Sequence, residues 1–264
     1  MTVAFNYLGK LGQLGNQMFQ YAATLGIARK LGVPFMIPNH DEIFDDGIGN
    51  KLHIELDVPF TLDCKRGMIN STDIREGGFE FDEKLFNECP DNCNLLGFFQ
   101  TEKYFKHISD EIRKDFTFKK PFVDECKEIV ESVFDDPIAL HIRRGDFLIN
   151  SGNHHNLPLE WYEKALRKFE VRRDVIIFTD DPEWATEQEL FKPDRFIISR
   201  GNSSYIDLYL MTQCSDFIIA NSSFSWWGAW LANTGKVIAP KVWFGPNNSH
   251  LNTKDLYPRH WETI

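Results

Sequence analysis

IALHIRRGDF, residues 138–147, decides the fold. Its opening is a short apolar run of the kind a strand buried on both faces requires, as in a parallel sheet. At its carboxyl end the composition turns to His141-Ile142-Arg143-Arg144-Gly145-Asp146. In open α/β sheets ligands bind just beyond the carboxyl ends of strands, and guanidinium forks match phosphate oxygens bidentately. A diphosphate is the ligand these residue types suit. The alternative is an ordinary surface ion pair among Arg143, Arg144 and Asp146, worth about 0–1 kcal/mol.

Downstream of this stretch the chain alternates cleanly. Helix is expected over 159–169, strand over 174–179, helix around 183–190 and strand over 195–198. Helix 204–214, strand 216–220, helix 224–232 and strand 236–240 follow. Repeated βα units of this length specify a parallel sheet covered on both faces. Upstream, a strand over 3–8 leads into Gly9, Gly12 and Gly15. A helix face at Met18, Tyr21, Ala22, Leu25, Ala28 and Leu31 then ends at Gly32, placed for a C-cap, before a strand over 33–37. Residues 39–118 are less regular and read as short helices and loops, with one strand near 94–99. Lys119-Lys120-Pro121 and Asp135-Asp136-Pro137 bracket a helical segment as boundary punctuation. The economical architecture is α/β: two facing Rossmann-like domains, residues 1–134 and 135–264, with the ligand between them.

The 29 Lys and Arg are outnumbered by 39 Asp and Glu, a net charge of −10, so the chain lacks the basic face of a nucleic-acid binder. An anionic ligand must be held by a local site. Five scattered cysteines without a Cys-x-x-Cys argue against a disulfide framework or zinc site, although Cys89 and Cys93 are close enough in sequence to pair or share a metal. No apolar run approaches the roughly 18 residues of a membrane span, and the N-terminus lacks a signal-peptide h-region. A cytoplasmic protein is expected, with peripheral attachment at the inner face of a membrane left open.

Other groups gather at the same kind of position. Gly9, Gly12 and Gly15 have the wrong spacing for the dinucleotide fingerprint, but small residues still let a ligand approach a helix start, where Asn16 and Gln17 can cap the helix or meet a sugar hydroxyl. Asp180 and Asp181 follow a strand and can bind ribose, hold an arginine or cap the next helix. Asp207, near a helix start, suits the N1 and N2 donors of guanine. Asn221, Ser222, Ser223 and Phe224 open a helix and offer a second anion pocket. Trp226, Trp227 and Trp230 can stack on sugars or pack a core. No Asp-x-Asp occurs, so a leaving diphosphate is expected to be neutralised by Arg143 and Arg144 rather than by a metal ion.

These segments resemble the α-1,2-fucosyltransferases of bacterial and animal type and, more remotely, the α-1,6- and protein O-fucosyltransferases. The resemblance rests on GQLGNQMFQYA (12–22), GFFQTEKYF (97–105), HIRRGDF (141–147), TDDP (179–182), NSSFSWWGAW (221–230) and VIAP (237–240), in that order. It implies a GT-B type fold and an inverting transfer of L-fucose from GDP-β-L-fucose to the 2-hydroxyl of a terminal galactose, with no cofactor beyond the donor. It further implies that Arg143 meets the β-phosphate, His141 and Asp207 the nucleotide, and that Asp180 supports them. Ser222–Phe224 would line the donor pocket, and Asn16 and Gln17 would face the reacting sugar from an acceptor-side first domain. Arg143, Asp146 and Asn16 are the candidates for direct catalysis, although the general base stays unassigned among Asp146, His154 and His155. Two departures bear on the acceptor: Gly12-Gln13 stands where the family often has paired glycines, and the chain is short. Rival readings are another GDP-sugar or linkage, a nucleotide-sugar binder without catalysis, and a nicotinamide dehydrogenase.

Overall fold

The computed structural model describes every residue except Met1, Ile48 and Phe134. The chain divides into two compact units. One runs to Thr117 and takes back Leu251–Arg259; the other holds Phe118–His250 and His260–Ile264. The helix expected between the two boundary signals therefore groups with the second unit, packing on its helix Ser204–Thr212, and the boundary expected after residue 134 falls instead at Thr117.

The first unit contains β1 (Val3–Ala4), α1 (Leu14–Leu31), β2 (Phe35–Ile37), the hairpin β3 (Phe44–Asp45) and β4 (Lys51–Leu52), β5 (Lys65–Arg66), β6 (Asp73–Arg75), α2 (Glu83–Glu88), β7 (Cys93–Leu96) and α3 (Ser109–Asp115). Five of these strands make one parallel sheet, ordered β5-β2-β1-β7-β6. The irregular stretch after Asn39 thus contributes strands of two to four residues, too short to show alternation in sequence. α1 is buried along most of its length and ends as expected, with Gly32 in the left-handed region (φ 68°). Gly26 lets α1 approach its neighbour, because a Cβ there would lie 2.0 Å from the Tyr104 carbonyl oxygen. The core is largely aromatic, with Phe5, Phe19, Tyr21, Phe99, Tyr104, Phe105 and Phe116 all buried.

The second unit contains α4 (Lys120–Val133), β8 (Ile138–Ile142), α5 (Gly145–Ile149), α6 (Leu159–Leu166), β9 (Val175–Thr179), α7 (Pro182–Glu187), β10 (Phe196–Ile198), α8 (Ser204–Thr212), β11 (Asp216–Ile218), α9 (Ser223–Ala232), β12 (Val237–Ala239) and β13 (Glu262–Thr263). All six strands run parallel in the order β10-β9-β8-β11-β12-β13. This is the doubly wound order in which the chain builds outward from β8, then reverses to its other side at β11. Its core joins Ile138, Leu140, Ile142, Val175, Ile177, Ile218 and Ile238 of the sheet to Tyr162, Ala165 and Leu166 of α6. Trp226, Trp227 and Trp230 are buried and packed together, Trp226 parallel to Trp230 and Trp227 edge-on to both, so the core reading of these tryptophans is the one realised.

Candidate functional site

The reversal of strand order between β8 and β11 opens a crevice beyond their carboxyl ends, where such sheets take ligands. His141 and Arg143 come from the end of β8; Asn221–Phe224 leave β11 and start α9. The two sides meet where the His141 ring lies 5.4 Å from that of Phe224. His141 is buried, its Nδ1 has no hydrogen-bond partner, and burial together with the Arg143 charge pushes its pKa down to about 3. A neutral imidazole with an unsatisfied buried nitrogen marks a place where a ligand group is wanted.

Arg143 is half-buried, with Nη2 2.7 Å from Asp146 Oδ1 and Nη1 3.2 Å from Asp180 Oδ2. Two carboxylates thus engage the two terminal nitrogens of the guanidinium. The ion pair with Asp146 is therefore present, but it is only partly exposed and is shared with Asp180. Arg144 behaves differently from the expected second phosphate ligand. Its Nε donates to Asp181 Oδ2 at 3.0 Å and its guanidinium stacks 3.9 Å above Trp184, so it braces α7 while its backbone N–H donates to Asp180 Oδ1. Asp181 also caps α7, accepting the Trp184 N–H. The acidic pair after β9 is therefore a buttress and a cap. Gly145 is tight against this group, since a Cβ there would lie 2.7 Å from Asp180 Oδ2.

Further along the same sheet edge, the half-buried Asp207 carboxyl accepts from Ser199 Oγ at 2.6 Å and Asn202 Nδ2 at 3.3 Å, and desolvation raises its pKa against those two bonds. Ser199 follows β10 and was missed in sequence; its signal was only its place after a strand. On the other side of the crevice Ser222 is the N-cap of α9 without a side-chain cap bond, which leaves first-turn N–H groups for an anion. Asn221 does not line that pocket. Its buried amide donates to the carbonyls of His155 and Trp243, both at 2.8 Å, and ties two loops together. His154 stacks on Phe147 at 4.1 Å, with burial lowering its pKa while Asp146 opposes and Arg143 reinforces the shift.

Asn16 and Gln17 belong to the first unit, in the opening turn of α1. Neither caps the helix, whose N-cap is Gln13. Gln17 is fully buried and both ends of its amide are engaged: Nε2 donates to the carbonyls of Gly12 and His53, and Oε1 accepts the Glu55 N–H. It braces the glycine loop and is not open to a sugar. Asn16 is only half-buried, and its Oδ1 accepts from Gln100 Nε2 at 2.7 Å. The thiols of Cys89 and Cys93 lie 3.1 Å apart as free cysteines. No helix among the described residues is long and apolar enough to cross a membrane.

Residues 4–264 match the sequence model of glycosyl transferase family 11. The chain belongs to that family. As a family 11 member it is a glycosyltransferase, and the expected relationship to fucosyltransferases holds. It is 30% identical to the O-antigen biosynthesis glycosyltransferase WbnK of Escherichia coli, over 93% of this chain and 97% of the relative. It is likewise 30% identical to an alpha-1,2-colitosyltransferase of Escherichia coli, over 96% of each chain. Against galactoside alpha-(1,2)-fucosyltransferase 1 of Alouatta caraya identity is 26%, covering 84% of this chain and 63% of the relative. Among solved structures, fucosyltransferase NodZ from Bradyrhizobium aligns with a TM-score of 0.55 at 14% identity, over 89% of this chain and 94% of NodZ. POFUT1 in complex with GDP gives 0.55 at 12% identity, over 88% and 94%. The family 11 fold is accordingly of the GT-B type, α/β with parallel sheets.

Proposed function

We propose that this chain transfers L-fucose from GDP-β-L-fucose, with inversion, to the 2-hydroxyl of a terminal galactose. The observation that carries the reading is the meeting, at the strand reversal of the second sheet, of Arg143 and His141 from β8 with the uncapped start of α9. That arrangement suits a nucleoside diphosphate. Relatives named for α-1,2 transfer support the linkage, and a solved NodZ structure co-crystallised with GDP supports the nucleotide.

In this mechanism Arg143 faces the β-phosphate, oriented by Asp146 and Asp180, and stabilises the charge that gathers on GDP as the bond to the anomeric carbon breaks. N–H groups of Ser223 and Phe224 share that charge. Asp207 reads the guanine edge and His141 packs beside the nucleotide as a neutral ring. The second unit then holds the donor and the first holds the acceptor, which Asn16 contacts. No metal ion or cofactor is required, because guanidinium and helix N–H groups do the neutralising.

The colitosyltransferase relative favours one second reading, in which the same site carries colitose. A panel of galactose-terminated disaccharides with GDP-fucose or the corresponding colitosyl donor, product linkage read by NMR, tests both. An α-1,2-fucosyl product formed equally well in excess EDTA is expected. A strict Mn or Mg requirement overturns the role given to Arg143, and donor binding without any transfer leaves only a binding protein.

A further inference from the structure

The first sheet has a reversal of its own. Its order β5-β2-β1-β7-β6 places β1 beside β7, and Asn16 in the first turn of α1, reached from β1, is joined by a 2.7 Å amide bond to Gln100 in the loop leaving β7. Gln100 sits in a segment whose backbone is unusual. Phe99 has φ 52°, a left-handed conformation that a bulky residue adopts only when its surroundings enforce it. The Thr101 N–H folds back on the Phe99 carbonyl at 2.8 Å. The Phe99 ring is fully buried between Phe5 and Tyr104, with centroids at 6.2 and 5.3 Å.

One side chain holds that backbone. Glu76, directly after β6, accepts the N–H groups of Phe98 and Phe99 on Oε2, each at 3.0 Å. The fit leaves no room above it, since a Cβ on Gly97 would lie 2.6 Å from Glu76 Cβ and 2.7 Å from Oε2. Glu76 Oε1 and Gln100 Oε1 are both buried without a hydrogen-bond partner. Removing the carboxylate would free two N–H groups in a strained turn, and Gln100 is the next residue.

We infer that Glu76 is a positioning residue of the transfer reaction, setting Asn16 through the Phe98–Phe99 backbone and Gln100. The inference rests on the proposal that Asn16 faces the acceptor. Burial raises the Glu76 carboxyl to about 7 against the two N–H bonds that lower it, and Asp82 at the N-cap of α2 adds to the rise. Tyr104 is the other titratable group acting with it, and neither neighbour is a cation. Ionisation strengthens the two N–H bonds but costs more in this buried place than they return, so by linkage the hold weakens as pH rises from 4.5 towards 7.

Glu76→Ala and Glu76→Gln test this, the second keeping an acceptor oxygen while removing the ionisation. Acceptor KM in Glu76→Ala should rise at least about tenfold while GDP affinity stays within about twofold of wild type. Glu76→Gln, which keeps one acceptor oxygen for the Phe98 and Phe99 N–H groups, should restore most of the acceptor KM lost in Glu76→Ala. Amide exchange over 97–101 should be faster in Glu76→Ala than in Glu76→Gln. Unchanged acceptor KM, or an equal loss of GDP affinity, overturns the inference while the fucosyl reading stands. If wild type transfers no sugar, that reading fails by itself. Exchange then judges the Glu76 hold, and equal protection in wild type and both variants removes it.

Discussion

Arg143 and His141 stand two residues apart on one strand end and have opposite electrostatic fates. Arg143 lies between two carboxylates, and truncating such a partnered, part-buried cation costs about 2–5 kcal/mol. Arg143→Ala should therefore lose at least about 30-fold in kcat/KM for the donor, with Arg143→Lys between it and wild type because an ammonium lacks the planar fork. Steady-state kinetics with varied donor checks this. Arg144→Ala should act mainly on stability through α7, which a melting curve beside the same kinetics distinguishes. His141 is held neutral, its folded pKa near 3 lying below the ordinary value of 6.5. Between those pH values the unfolded chain binds the extra proton, so stability must fall as pH drops below about 6.5. Glu76 carries the opposite sign, losing stability as pH rises from 4.5 towards 7. Urea midpoints across pH 4–7 for wild type and His141→Phe should show a shallower acid loss in the variant.

At the scale of elements, the close passage of α1 against Tyr104 makes a single methyl costly. Gly26→Ala gains helix propensity, about 1 kcal/mol, yet drives a carbon to 2.0 Å from a backbone oxygen. Overpacking of about 1–3 kcal/mol should outweigh the gain and lower the melting temperature. The second unit was legible in sequence because β8 and β9 are five-residue apolar runs separated by helices with clear faces. In the first unit β5 and β6 are two or three residues long and carry Lys65, Arg66, Asp73 and Arg75, so no period marks them. The charged residues of the site were readable because each follows a strand. The roles of Gln17 and Asn221 were not, since their amides answer backbone carbonyls far along the chain, at His53 and Trp243. Glu76 was silent for the same reason: a lone acid between Arg75 and Gly77 signals nothing until Phe98 and Phe99 are brought to it.

At the scale of the molecule, the proposed donor site belongs wholly to the second unit, and a ligand stabilises the state that binds it by RT ln(1 + [L]/Kd). GDP at about 100 times its Kd should add about 2.7 kcal/mol, raising the melting transition by roughly 5–10 °C, with UDP and NAD giving no comparable shift. Equal shifts with NAD would revive the dehydrogenase reading. After His250 the chain leaves its second unit and then rejoins it. Leu251–Arg259 returns to the first unit, fastened there by Lys103 to Asp255 at 2.5 Å, Phe81 N–H to Asp255 and Asn252 to Glu80, before His260–Ile264 supplies the outermost strand of the second sheet. Chimeras that exchange donor halves between family members cannot be spliced at one junction. A crossover near Thr117 must be matched by two more, near His250 and Arg259, or each hybrid inherits a foreign clasp on one half and a mismatched border strand on the other.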